Sequence, residues 1–523
     1  VAEVCNRDFD ASKFEEFVEG MMEEYEVPGL AVGIIRDGRV IYTKGFGYRD
    51  HERKLPVTPD TVFGIASVSK SFTALAIMQL AEKGLLAVEH PVKRYLPEFD
   101  LPGTESEHAW KITIHNFLTH TAGIPPLPSL THSILAATKP DKAGNEVAEK
   151  DKEGAEKDKE DAEKAKGVAE RSKEDAEKPA GACDRPSILD TGSLLRFMAT
   201  HDYRLLGAPG EHVSYSNDAF GLLGTIIERV SGQEYEEYLQ QHILGPLNMA
   251  HTTTKADKLQ HFPDVTRLYY KNKDDCLCVS DNWQEAPPLT ACGFIKSNVK
   301  DLLSYVSMYM NNGVLEGRRV ISPAGISRMI TPYHPYILDR WYGYGFSIRP
   351  DYAGTTLIQH SGSLRGVASN IGYVPEKGIG AVVLSNLTGF PASKVWLGAV
   401  NLLLGLPVDH PIVTKELSPQ PEQVLLRLAG TYRSGEGANI VVRVKDGKLE
   451  AEVDSKIYPV DTTGPDTAVV TIRGTENHVR FLFDSSGEVW ALRYGSRLIL
   501  RSREEDPDGS GGKADEKSEG GNG

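Results

Sequence analysis

The chain has 523 residues, enough for two or three domains with a sizeable core. Its formal charge of −15 argues against nucleic acid or anionic lipid as the main partner, and no apolar run reaches the roughly 18 residues of a membrane span. Five cysteines make no disulfide framework, and Cys276-Leu277-Cys278 lacks zinc-pair spacing; with no HExxH and no P-loop signature either, no metal and no cofactor is implied. The residues name no compartment.

Residues 28–47, PGLAVGIIRDGRVIYTKGFG, read as a β-hairpin, with Asp37-Gly38 as the turn between two runs of β-branched residues. An apolar helix follows from Ser67 and stops at Gly84, a natural residue for a left-handed C-terminal cap. Residues 149–178 form a seven-residue repeat, EKDKEGA-EKDKEDA-EKAKGVA-ERSKEDA-EK, with one alanine in register. One small residue per heptad is too little for a coiled-coil seam. A charged insertion over about 139–182 is expected, mobile or marginally helical. Its flanks, PPLPSLTHSILAAT and SILDTGSLLRFMATH, are candidates for a cap over a cleft.

A second helix runs from Asp218 to near Gly232, with Phe220, Leu223, Ile227 and Val230 on one stripe. Another, KDLLSYVSMYM, ends at Asn311-Asn312-Gly313. Between Gly343 and Ser385, four strand-like segments alternate with Pro and Gly punctuation and suggest an antiparallel sheet. Strands early, helices in the middle and strands again late give an α+β layer domain over residues 1–414. A Pro-rich linker over 415–424 precedes a small all-β, barrel-like domain over 425–503. A disordered tail is expected over 504–523.

The chemistry starts from Ser67 and Lys70. Positions i and i+3 share a helix face, so the two side chains meet near a helix N-terminus. A serine hydroxyl needs a base to become a nucleophile, and a lysine in apolar surroundings is easier to deprotonate. Backbone N–H groups there also favour a developing oxyanion. Ser-x-x-Lys alone is weak evidence. It recurs at Ser297–Lys300 and Ser510–Lys513, and a lysine that lays its stem on apolar surface is the plainer explanation of one copy. Tyr215-Ser216-Asn217, in a loop entering a helix, and His360-Ser361-Gly362, at a strand end, add to it. Tyr-x-Asn also occurs at Tyr270 and Tyr309, whereas His-x-Gly occurs once. A glycine on an edge strand would let a substrate backbone approach.

Ser67-x-x-Lys70, Tyr215-x-Asn217 and His360-x-Gly362, in that order, resemble the serine β-lactamase and penicillin-binding superfamily, nearest its class C-like branch. The stretches VFGIASVSKSFTALAI, ITIHNFLTHTAGIP and HSGSLRGVASNIGYVPE carry the likeness further, over about residues 12–405. From Leu428, LAGTYRSG resembles the lipocalin-like appendage of some D-amino-acid peptidases. The likeness implies that Ser67 is the acyl-accepting nucleophile, with Lys70 as its base, alone or shared with Tyr215. Tyr215 would then protonate the leaving group. Asn217 would bind the acyl side of the substrate and hold Lys70. His360, Gly362 and Ser363 would line the substrate site, with the backbone N–H groups of Ser67 and Ser363 as the oxyanion hole. His120, in LTHTAGIP, would line the cleft.

His360 stands where β-lactamases carry a lysine that steers a substrate carboxylate. A neutral histidine does this less well. The resemblance therefore implies a peptidase or esterase, of the D-aminopeptidase or carboxylesterase kind, with weak or no β-lactamase activity. The substrate is a small molecule or peptide, and homo-oligomerisation stays open. A non-catalytic scaffold and an acyltransferase are the alternatives.

Overall fold

The computed structural model describes residues 9–103, 106–137, 186–280, 282–412, 416–453, 455–472 and 475–502. The charged repeat, the tail and the Ser510 copy of Ser-x-x-Lys lie outside the described residues.

A nine-stranded antiparallel sheet organises the larger unit. From edge to edge it runs His334–Ile337, Arg340–Tyr342, Ser347–Tyr352, Thr355–Leu364, Val367–Val374, Ile379–Ser385, Gly29–Arg36, Arg39–Asp50 and Leu55–Pro56. The Asp37-Gly38 turn forms as expected, both residues at positive φ. The two halves of the sheet, early and late in the chain, join where Gly29–Arg36 pairs with Ile379–Ser385.

That strand is buried on both faces, and its two-residue period divides it. Leu30, Val32 and Ile34 pack with Trp396 beneath the helices Ala11–Tyr25 and Ala392–Leu403. Ala31 and Ile35 face the opposite cluster, with the helices Ser69–Glu82, Asn217–Ser231 and Val299–Met310. At Gly33 a Cβ would lie 2.4 Å from Val299 Cγ1, so glycine lets the Val299 helix close on the sheet. The helix Ser69–Glu82 is buried from Ser69 to Leu80, on every face.

The second unit is a closed barrel of eight antiparallel strands, from Gly430–Arg433 to Arg497–Arg501, whose last strand pairs with its first. Alternate residues point inward. Tyr432, Ile440, Val442, Leu449, Phe481, Leu492 and Ile499 fill the interior. The expected linker is partly a helix, Glu422–Leu428, because Leu425 and Leu428 have this barrel core to bury into. On the outer face, Ala491 and Leu498 pack on Leu206 of the larger unit.

Candidate active site

Ser67 sits in a single 3-10 turn, Ala66–Val68, directly before the helix Ser69–Glu82. The short pairing of Phe63–Gly64 with Lys296–Ser297 fixes the entry to that turn. Ala66 is held at φ 45°, a left-handed conformation that costs a non-glycine residue about 1–2 kcal/mol, so packing imposes the turn. Part of that packing comes from Gly362. A Cβ there would stand 2.2 Å from Ile65 O and 2.5 Å from Ser369 Oγ. This corrects the edge-strand expectation: the strand Thr355–Leu364 is interior to the sheet. Glycine is required at 362 because the backbone before Ser67 crosses directly over it.

Lys70 is fully buried. Its Nζ lies 3.3 Å from Ser67 Oγ, 2.9 Å from Asn217 Oδ1 and 2.7 Å from the carbonyl oxygen of Cys292. These three oxygens surround Nζ, so the side chain has one defined position. Cys292 contributes only its backbone: burial pushes its thiol up to about 11. Lys70 Nζ is also 4.6 Å from the Tyr215 ring centroid.

Tyr215 is buried, yet its hydroxyl has no hydrogen-bond partner among the described residues. A buried hydroxyl left this way is costly in a resting fold and invites a functional explanation. Ser216 caps the next helix, its Oγ accepting from Ala219 N–H. His120 does not reach the cleft wall. It stacks behind Tyr215, centroids 4.2 Å apart, and its Nδ1 accepts from Ser216 N–H. Its left-handed backbone, φ 59°, is held by a second bond, from Ser214 N–H to the His120 carbonyl.

His360 is neutral. Its Nδ1 lies 2.7 Å from the Ser361 carbonyl, which can only accept, so Nδ1 carries the proton and Nε2 accepts from Tyr342 O–H at 2.9 Å. Burial, reinforced by the charge of Lys70, holds it down to about 3. Ser363 lies exposed on the cleft rim.

These groups open into a cleft of about 530 Å³. Ser67, Tyr215, Asn217, His360, Gly362 and Ser363 all line it. Leu130 joins them from the helix Ser129–Ala137, which flanks the charged insertion. Ser129 Oγ donates to the buried Asp218, whose carboxyl burial raises to about 6.

One wall has no counterpart in the sequence reading: the turn Gly495-Ser496-Arg497 of the barrel. Ser496 O accepts from Tyr215 N–H at 2.9 Å, and Ser214 Oγ accepts from Leu498 N–H at 3.2 Å. The Arg497 guanidinium lies 5.0 Å from the Tyr215 ring and pairs with Glu436. Glu436 Oε1 in turn accepts from Asn217 Nδ2 at 3.2 Å. The other Ser-x-x-Lys copy is no second site. Ser297 Oγ is buried against Thr252, while Lys300 is exposed and pairs with Asp60.

Comparison with known proteins gives the family of the larger unit. The profile described as "Beta-lactamase" matches residues 14–402. "Protein flp" of Staphylococcus aureus strain MW2 is 26% identical over 391 residues, 72% of this chain and 63% of that protein. The human "Serine beta-lactamase-like protein LACTB, mitochondrial" is 29% identical over 338 residues, 60% of this chain and 59% of that one. The chain thus spans less than two thirds of the length of these relatives. Among solved structures, the octameric penicillin-binding protein homologue from Pyrococcus abyssi superposes with a TM-score of 0.62 at 29% identity, over 94% of this chain and all of that one. SurE, at 20% identity and a TM-score of 0.64 over 94% of this chain and 98% of its own, shares the fold. With a family match over residues 14–402, the chain belongs to the beta-lactamase family, whose members are generally serine hydrolases.

Proposed function

We propose that this protein is a serine hydrolase that forms an acyl-enzyme on Ser67 and cleaves amide or ester bonds. The observation that carries the reading is the contact of Ser67 Oγ with a lysine fixed by Asn217 and the Cys292 carbonyl, beside a tyrosine hydroxyl that has no partner. Lys70, as the neutral amine with its two N–H groups on Asn217 Oδ1 and the Cys292 carbonyl, takes the Ser67 proton as Oγ attacks the substrate carbonyl. The backbone N–H groups of Ser67 and Ser363 receive the oxyanion, and Tyr215 hands its proton to the leaving group and regains one from Lys70, which returns to the neutral amine. Water then releases the acyl group. The 3.3 Å separation is long for a working hydrogen bond, as is common before substrate closes a site.

Neutral His360 supports a peptidase or esterase over a β-lactamase, because it offers no cation to a substrate carboxylate. We therefore expect D-aminoacyl anilides, D-amino-acid peptides or short acyl esters to be cleaved in preference to nitrocefin. Labelling by a fluorophosphonate should be lost in Ser67→Ala and kept in Ser297→Ala. The reverse pattern would overturn the site, and nitrocefin as the best substrate would overturn the specificity. The solved homologue from Pyrococcus abyssi is octameric, and we propose self-association here, to be read by light scattering of the intact chain.

A further inference from the structure

A second cleft, of about 690 Å³, lies where the barrel meets the larger unit, and it shares no lining residue with the cleft around Ser67. Its most unusual occupant is Arg493. This side chain is 9% exposed and donates a hydrogen bond from Nη1 to the Val213 carbonyl at 2.8 Å. Among the described residues it forms no ion pair. A guanidinium has five N–H donors, and a buried charge is ordinarily matched by an opposite one. Directly across the strand ladder stands Arg480, the register partner of Arg493. Like charges placed opposite each other destabilise a sheet, so this pair is an expense of the fold itself.

The acids near them are engaged elsewhere. Asp466 pairs with Arg480 at 2.9 Å. Glu211 accepts from Ala208 N–H and faces His212. Asp484 accepts from the N–H groups of Ser486 and Glu488. Arg204 and Ser485 also line the cleft, and its apolar part includes Leu206, Leu482 and Trp490, which belong to one cluster, with the Trp490 ring 5.3 Å from His212.

We propose that this seam binds an amphiphilic organic anion, a carboxylate whose head meets Arg493 and Arg480 and whose apolar body lies on Leu206, Leu482 and Trp490. An anion there gives Arg493 the opposite charge it lacks while leaving its bond to Val213, two residues before Tyr215, in place. Charge-assisted bonds to planar carboxylates are what a guanidinium forms best.

Decanoate is the probe, titrated into the full chain by calorimetry, with acetate as the head group alone. One saturable site per chain is expected, weakened about tenfold or more in Arg480→Met, by the loss of a charged hydrogen bond, and about two- to tenfold in Trp490→Leu, by the loss of an aromatic contact. Acetate is expected to bind far more weakly. Arg493→Met should abolish binding. It also removes a bond across the seam, so if that variant does not fold, Arg480→Met, on a mostly exposed side chain, decides. Decanoate binding unchanged in Arg480→Met and Trp490→Leu, no saturable binding at all, or acetate binding as tightly as decanoate would each overturn the proposal.

Discussion

Glu436 is the residue through which the barrel reaches the Ser67 machinery, and its removal should be felt there. Its carboxylate does two things: it pairs with Arg497 and it accepts from Asn217 Nδ2. The other end of the Asn217 amide, Oδ1, is one of three acceptors that fix Lys70. In Glu436→Ala, Nδ2 loses its acceptor, and the Arg497 guanidinium is left unpaired beside the Tyr215 ring. Leaving a buried polar group unmatched costs about 1–3 kcal/mol. If that cost falls on the working position of Asn217 and Lys70, kcat/KM drops by roughly 5- to 150-fold. Glu436→Gln keeps an acceptor for Nδ2 and loses only a partly exposed ion pair, so its loss should be about fivefold or less. The assay is kcat/KM on the best substrate of the panel, with the rate of fluorophosphonate labelling as an independent measure of Ser67 and a thermal melt to show that the fold survives. If Glu436→Ala stays within about twofold of the parent on both rates, while its melt is unchanged, Asn217 is held without the barrel and the reasoning fails.

Three further outcomes follow from the same contacts. Gly362→Ala places a Cβ 2.2 Å from Ile65 O, so the strand or the turn before Ser67 must move; a loss of about 1–3 kcal/mol in urea unfolding and a slower Ser67 labelling rate are expected. His360 carries a pH signature: its folded value of about 3 lies below the free value of 6.5. The unfolded chain therefore binds a proton that the native chain refuses, and stability is full above pH 6.5 and lost as pH falls towards 3. The difference between the parent and His360→Gln should shrink by about 4–5 kcal/mol over that range, read from urea curves at each pH, whereas a flat difference would place the protonation elsewhere. Ending the chain after Leu417 removes the Ser496 carbonyl from Tyr215 N–H and uncovers Leu206. The truncated chain should label at Ser67 about 5- to 150-fold more slowly, because the barrel contact that holds the Tyr215 loop is gone, and full-rate labelling would show the loop to be self-supporting.

What could be read from the residues was what is local. The Asp37-Gly38 hairpin, the helices ending at Gly84 and Gly232, and the apolar strand segments late in the chain each declare themselves within ten or so positions, and each formed. Ser67, Lys70, Tyr215, Asn217 and His360 were legible as motifs, and the fold gathers them around one cleft. The parts that escaped lie far apart in the chain. Glu436 in a barrel turn and Arg497 at the start of the last barrel strand are 219 and 282 positions from the Asn217 and Tyr215 they address, and nothing in SGEGAN or YGSRL marks a site. The Cys292 carbonyl is a backbone atom, invisible to any reading by side chain. At Gly362 the packing that requires glycine comes from Ile65, 297 positions away, and no local pattern shows it.

The electrostatics of the cleft bear on what it can accept. At 360, burial and the nearby Lys70 keep the imidazole neutral, and the bonds to Ser361 and Tyr342 occupy both ring nitrogens. Lys70 is spoken for by three acceptors and is fully buried. Arg497 meets the cleft only as half of an ion pair with Glu436, so its charge is largely cancelled where it stands. A substrate carboxylate near Ser67 must therefore compete with Glu436 for Arg497, and that competition would disturb the bond from Asn217 as well. An acyl group with a cationic or uncharged flank meets no such conflict, since it leaves the pair of Arg497 with Glu436 in place. The proposed preference for an ester or an N-terminal aminoacyl amide over a β-lactam therefore rests on the lack of a free cation beside Ser67 among the described residues.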